Sequence, residues 1–241
     1  MNKLLVSRLV ALLVVALLGH GCAGFGAYNF APIEARVVDE ETGQPIEGAI
    51  VVANWQLEEA SIHLTIQRES LEIQETVTNR DGQFKLPGFT KVNTTPYFLK
   101  SRAPQIIIFK PNYRIYYYSA MYPMGGKATE MNDYPKPAIS GAPVKLKSLA
   151  NEREKYLDQF RRLRMSLDSA FASSSVTGKA CDWTKIPELL VAMEGEKYKL
   201  SYLDQVSQPR IADLLGRDCP SVPAALKELG ISPESQNVTH R

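Results

Sequence analysis

The sequence predicts an α+β protein: an N-terminal β-sandwich of about seven strands followed by a small helical C-terminal region. Two observations carry this. Between residues 32 and 150, short runs rich in Val, Ile, Tyr and Thr are separated by Gly, Pro, Asn and Asp clusters, the punctuation of a β protein. Beyond Ala150 apolar residues recur at spacings of three and four, the period of an amphipathic helix. The chain of 241 residues, 44% of them hydrophobic, is long enough for a real core, and its three cysteines are too few for a disulfide-dense fold. The expected division is a signal peptide over 1–21, a linker over 22–31, the sandwich over 32–150 and the helical region over 151–241.

The strands follow in order. Ile33–Asp39 leads into the turn Glu41-Thr42-Gly43-Gln44-Pro45, and Gly48–Asn54 is the next run. Ile62–Ile66 and Leu71–Thr78 read as a pair. Asn79-Arg80-Asp81-Gly82 is a tight-turn signal in which Gly82 supplies positive φ, and Gln83–Leu86 continues the hairpin. Gln105–Lys110 (QIIIFK) reads as a strand whose continuous apolar run, Ile106–Phe109, would be covered on both faces. Arg114–Ala120 and Val144–Ser148 complete the strand set. In the tail, Glu152–Phe171 carries Tyr156, Phe160, Leu163, Leu167 and Ala170 on one stripe. Shorter helices are expected over 185–194, 208–215 and 222–229, with Pro187, Pro209 and Pro223 in their first turns and Gly195, Gly216 and Gly230 as C-caps.

The N-terminus reads as an export signal. Lys3 and Arg8 form a basic start, Leu9–Leu18 is an apolar run of ten residues, and Gly19-His20-Gly21-Cys22 follows. Ten apolar residues are too few to span a bilayer, which needs about 20. Gly21-Cys22 resembles the end of a bacterial lipoprotein signal, and the resemblance implies that Cys22 becomes the acylated mature N-terminus. With Ala23 after the cysteine, it also implies an outer-membrane address facing the periplasm. Ordinary cleavage near residues 22–26, giving a soluble periplasmic protein, is the other reading. If Cys22 is acylated, Cys181 and Cys219 are left as a pair in an oxidising compartment and are expected to form a disulfide. Closing that loop of about 39 residues would stabilise by roughly 4 kcal/mol in the chain-entropy model.

Val37-Val38-Asp39, Thr42-Gly43-Gln44-Pro45-Ile46-Glu47-Gly48-Ala49-Ile50-Val51-Val52 and Glu75-Thr76-Val77-Thr78-Asn79-Arg80-Asp81-Gly82-Gln83-Phe84 resemble the carboxypeptidase regulatory-like domain. The resemblance implies a prealbumin-like β-sandwich. Ala35 stands where that family usually has Gly. Asn112 stands where Gly would follow the Phe-Lys-Pro run, and Asn tolerates the left-handed conformation.

Charge and chemistry narrow the function. Residues 1–21 hold two basic residues and no acidic one, which leaves 26 charges of each sign from Cys22 onward. That balance gives no electrostatic footprint for nucleic acid. Metallopeptidase chemistry needs a compact set of His and carboxylate ligands, yet only His63 and His240 follow Cys22. Intradiol dioxygenases, which share prealbumin-like folds, need two His and two Tyr on iron. Hydroxyisourate hydrolases end in Tyr-Arg-Gly-Ser, whereas this chain ends in Val238-Thr239-His240-Arg241. No Gly-x-Ser-x-Gly elbow is present. No catalytic residue, metal or cofactor is expected.

Trp55, Tyr116, Tyr118 and Tyr122 form a candidate binding face for sugar rings or peptide, against the plainer reading that aromatics fill strands and cores. Arg161, Arg162 and Arg164 read as a solvated helix face beside Glu152, Glu154 and Asp158. The expected function is a non-enzymatic cell-envelope lipoprotein with an adhesion or scaffolding role. It would be bound to the membrane through its lipid, with an envelope protein or glycan as partner. The alternative is a soluble periplasmic or secreted carbohydrate- or peptide-binding module.

Overall fold

The computed structural model describes residues 26–60, 65–118, 141, 143–160, 163, 182–198 and 227. The strands are β1 (Gly26–Phe30), β2 (Ile33–Asp39), β3 (Ile50–Ala60), β4 (Thr65–Val77), β5 (Gln83–Leu86), β6 (Phe89–Asn93), β7 (Phe98–Leu99), β8 (Gln105–Phe109), β9 (Tyr116–Tyr118) and β10 (Pro143–Leu146). Helix α1 covers 153–160, and α2 is Pro187–Tyr198, preceded by a 3-10 turn over Asp182–Lys185. The protein is mostly β with a small helical part.

Three sheets result. The larger has the order β4-β3-β8-β9, with β7 also on β3. A smaller one runs β10-β2-β5, in which β10 lies parallel to β2 with Val144 opposite Val37, and β5 is antiparallel on the other side. The third pairs β1 with β6 from Gly26↔Asn93 to Phe30↔Phe89. Pro32 and Gly88 separate this ladder from β2–β5. A Cβ at Gly88 would lie 2.7 Å from the Phe30 carbonyl oxygen, so only glycine allows the two arms to approach there.

The alternation of side chains along the larger sheet separates two cores. Val51, Ala53, Trp55, Leu57, Ile106 and Ile108 face the smaller sheets and pack with Phe30, Val37, Phe84, Leu86 and Leu146. Ile50, Val52, Ile73, Ile107 and Phe109 face the other way, onto Phe160 and Leu163 and onto Ile186, Leu189, Leu190, Val191 and Met193. All of β8 is therefore buried, as its apolar run predicted; the tail supplies the second cover. An isolated 12-residue helix is marginal in water. Four α2 side chains (Leu189, Leu190, Val191 and Met193) are buried, each contributing about 1.5–3 kcal/mol. Packing, rather than helix propensity, holds α2 in place.

The two stretches that carry the family resemblance meet at one corner. Thr78 Oγ1 donates to the Ile46 carbonyl (2.7 Å) and accepts from Ala49 N–H (2.8 Å). Val37 N–H donates to the Gly82 carbonyl, and Ile46 N–H to the Val37 carbonyl. Asn79 Oδ1 accepts from Asp81 and Gln83 N–H, closing the turn with Gly82 at φ +71°. Asn112 adopts φ +65°, the left-handed conformation anticipated for it.

Several expected elements are corrected. The described residues hold ten strands rather than about seven. Gly26–Phe30, assigned to a linker, is a strand because Tyr28 and Phe30 turn inward, Phe30 stacking on Phe89 at 4.7 Å between ring centroids. Ile62–Ile66 and Leu71–Thr78 are expected to pair; the described part of the first, Thr65 and Ile66, instead lies in the same strand as Leu71–Val77, and residues 61–64 lie outside the described residues. β4 runs without a break through Gln67-Arg68-Glu69-Ser70, where no turn residue interrupts it, and pairs with a β3 that extends to Ala60. Gly195 lies inside α2 instead of capping it, and the helix continues through Glu196, whose carboxylate accepts from Tyr156 Oη at 2.8 Å. The helices expected over 208–215 and 222–229 lie outside the described residues, apart from Lys227, which is helical.

Candidate functional site

Trp55 is not on a surface. It is 2% exposed, edge-on to Phe30 at 5.5 Å and to Phe89 at 4.8 Å, and this burial removes it from any stacking platform. Tyr116 and Tyr118 share one face of β9, are half-buried and pack against the sandwich core. Burial, and then the neighbouring Tyr118, raise the Tyr116 hydroxyl above its usual range. The exposed tyrosine of this strand is Tyr117, on the opposite face, where its hydroxyl accepts from Gln105 Nε2. Gln105 Oε1 in turn accepts from Gln56 Nε2 (2.8 Å). The structure thus brings Tyr116 and Tyr118 together and sets Trp55 apart from them. Tyr122, Cys22, Cys181, Cys219, His63, Arg161, Arg162 and Arg164 lie outside the described residues.

An open polar groove runs along the outer face of the β10-β2-β5 sheet and round its edge to β4. Glu34, Arg36, Thr76, Gln83, Lys85 and Pro143 line it. Lys85 pairs with Glu34, and Arg36 Nε donates to the Asp81 carbonyl at 2.9 Å. Both charge signs and several amide groups face solvent there. Such a surface can hydrogen-bond an extended peptide or a glycan. Asp39 sits at the corner below. Thr42 N–H (2.8 Å), then Thr42 Oγ1 and Glu41 N–H, donate to its Oδ1 and hold the carboxyl below its usual range. Burial and the Asp39 charge raise Tyr113.

The side chains whose chemistry is most displaced join layers together. Glu75, on β4, accepts from Glu188 N–H and Leu189 N–H, each at 2.9 Å, at the start of α2. The donors and the helix dipole favour its charge, but burial outweighs them and pushes the carboxyl up to about 7. Tyr156, buried between the helices against Glu196, is raised well above the ordinary phenol range, chiefly by burial. Gln159 grips the chain entering β9, donating to the Tyr113 carbonyl (2.8 Å) and accepting from Ile115 N–H (3.0 Å). Sequence reasoning missed Glu75 and Gln159. Each is a polar residue of ordinary type, and each partner lies more than 40 residues away. Among the described residues no group of three or more His, Cys, Asp and Glu could hold a metal ion. No helix of the described residues is long and apolar enough to cross a membrane.

A pH effect follows from Glu75. Its carboxyl titrates near 7 in the folded protein and near 4.5 when unfolded, so the folded state holds the extra proton between those values. Stability from this group is fully present below pH 4.5 and lost as pH rises through 7, by ~3 kcal/mol at most. Urea titrations at pH 5 and pH 8 are expected to show that loss in the wild type and a smaller one in Glu75→Gln. Equal pH dependence in both proteins contradicts the assignment.

No family model and no curated protein matches the chain. Among solved structures, 3-chlorocatechol 1,2-dioxygenase from Rhodococcus opacus 1CP is similar over 49% of this chain and 59% of its own, at 16% identity and a TM-score of 0.28. A streptococcal ancillary pilin is similar over 50% of this chain and 30% of its own, at 10% identity and a TM-score of 0.21. The chain thus spans less than two thirds of either structure. Likeness at this level extends to neither activity nor partner.

Proposed function

We propose that the protein is a non-enzymatic module of the cell envelope, exported by residues 1–21 and anchored through an acylated Cys22, with an adhesion or scaffolding role. The observation that supports the non-enzymatic part is the use of its buried and half-buried polar side chains. Glu75 fastens α2 to β4, Tyr156 and Glu196 join the two helices, and Gln159 clamps α1 to the chain entering β9. Each is committed to architecture and turned away from the polar groove. The scaffold reading is a carboxypeptidase regulatory-like, prealbumin-like sandwich. It is supported by the way the Thr42–Val52 and Glu75–Phe84 stretches knit into one corner through Thr78 and Gly82. A Cys181–Cys219 disulfide would pin the helical tail, and no nucleic-acid partner or cofactor is part of this reading. The groove over Glu34, Arg36, Gln83 and Lys85 favours a second reading, a soluble periplasmic or secreted carbohydrate- or peptide-binding module.

The anchor separates the two. Cys22→Ser is expected to abolish labelling by a palmitate analogue and to move the protein from the membrane to the soluble fraction. Unchanged labelling and fractionation would sink the lipoprotein reading.

A further inference from the structure

The position of β1 turns the anchor into an orientation. Cys22 and Gly26 are four residues apart, and β1 begins at Gly26. Four residues reach at most about 14 Å even when fully extended. A ten-residue linker over 22–31 would have allowed the body to roam; a tether of this length does not. We propose that the end of the sandwich carrying Gly26, Ala27 and Val92 faces the lipid bilayer, with lipid as its contact. This rests on the acylation of Cys22.

The surface at that end agrees. Ala27 and Val92 lie directly opposite each other on the outward face of β1–β6, and Val92 is 62% exposed. An apolar pair thus stands one residue from the tether. The nearby cations Lys91 and Lys100 are paired with Glu72 and Glu58. The opposite end is held away. Phe30 packs on Trp55, so Gly26 stands four residues beyond that level in one direction. The Ile50–Val77 pair and the Asn79–Gly82 turn lie at least five residues beyond it in the other. At about 3.3 Å per residue the two ends are roughly 30 Å apart. The Thr76, Asn79 and Gln83 part of the polar groove lies at the far end and is presented outward from the membrane.

The test uses the full-length protein in intact cells, with p-benzoylphenylalanine in place of Val92 and, in a second protein, in place of Arg80, whose side chain is 92% exposed at the far turn. Both are labelled with a palmitate analogue and irradiated. Phospholipid adduct is expected to be at least ten-fold higher at position 92 than at position 80. Inserting ten Gly/Ser residues between Cys22 and Gly26 is expected to lower the adduct at 92 several-fold while the palmitate label stays. Equal adduct at both positions in labelled protein, or no response to the insertion, overturns the orientation and leaves acylation standing. Absence of palmitate label overturns acylation and the orientation together.

Discussion

Trp55→Ala is expected to cost about 3–5 kcal/mol of folding stability, the range for emptying a large aromatic site in a packed core. Trp55 is 2% exposed and is held edge-on between Phe30 and Phe89, so its removal opens a cavity where β1, β3 and β6 converge. Neighbours fixed in three different strands cannot collapse to fill it. Trp55→Phe is the control. The indole Nε1 is buried and finds no acceptor among the described residues, so phenylalanine deletes an unsatisfied donor along with some volume. Its loss is expected to be less than half that of the alanine variant. Urea unfolding of both variants measures the difference, and a loss below about 1 kcal/mol for Trp55→Ala contradicts the core assignment.

Gly82→Ala is expected to be nearly as damaging for a different reason. The residue has φ +71°, and its added Cβ would fall 2.3 Å from the Val37 carbonyl oxygen, well inside any permitted contact. The left-handed conformation alone costs a non-glycine residue about 1–2 kcal/mol. The clash must also push β5 away from β2, at the bond from Val37 N–H to the Gly82 carbonyl. The total is expected to reach about 3 kcal/mol or more. Gly43→Ala isolates the conformational part, since Gly43 has φ +69° with nothing within 4 Å of the added atom. It is expected to lose only about 1 kcal/mol. If the two variants lose the same amount by thermal or urea unfolding, the close approach at Gly82 is refuted.

What was legible in the sequence was local. Asn79-Arg80-Asp81-Gly82 announces its turn because only a few residue types accept positive φ, and Gln105–Phe109 announces burial on both faces because no polar residue interrupts it after Gln105. Pro187 marks the start of α2 for an equally local reason. Pairing and facing were not legible. β1 and β6 carry Ala27, Asn29, Thr90 and Val92 at their outward positions and read as loop until Phe30 and Phe89 are brought together. Trp55 resembles a platform residue in one dimension. In three, the alternation of β3 sends it to the same side as Ala53 and Leu57, into the sandwich. Glu75 gains its role only when residues 188 and 189 arrive above it. For the candidate face, strand alternation sets Tyr117 opposite Tyr116 and Tyr118, but only the packed sheets decide which side the core takes.

The parallel partnership of β10 with β2 has a kinetic corollary. Val37 meets Val144 across more than 100 residues, and the second face of β8 is covered only when residues 186–193 arrive. Until those segments arrive, a folding chain leaves Ile107 and Phe109, and one edge of β2, uncovered. Closure of contacts this distant in sequence is slow, on the millisecond-to-second scale typical of β topologies. During that interval the uncovered edge of β2 and the bare face of β8 are the parts of the chain most open to pairing with a neighbouring chain.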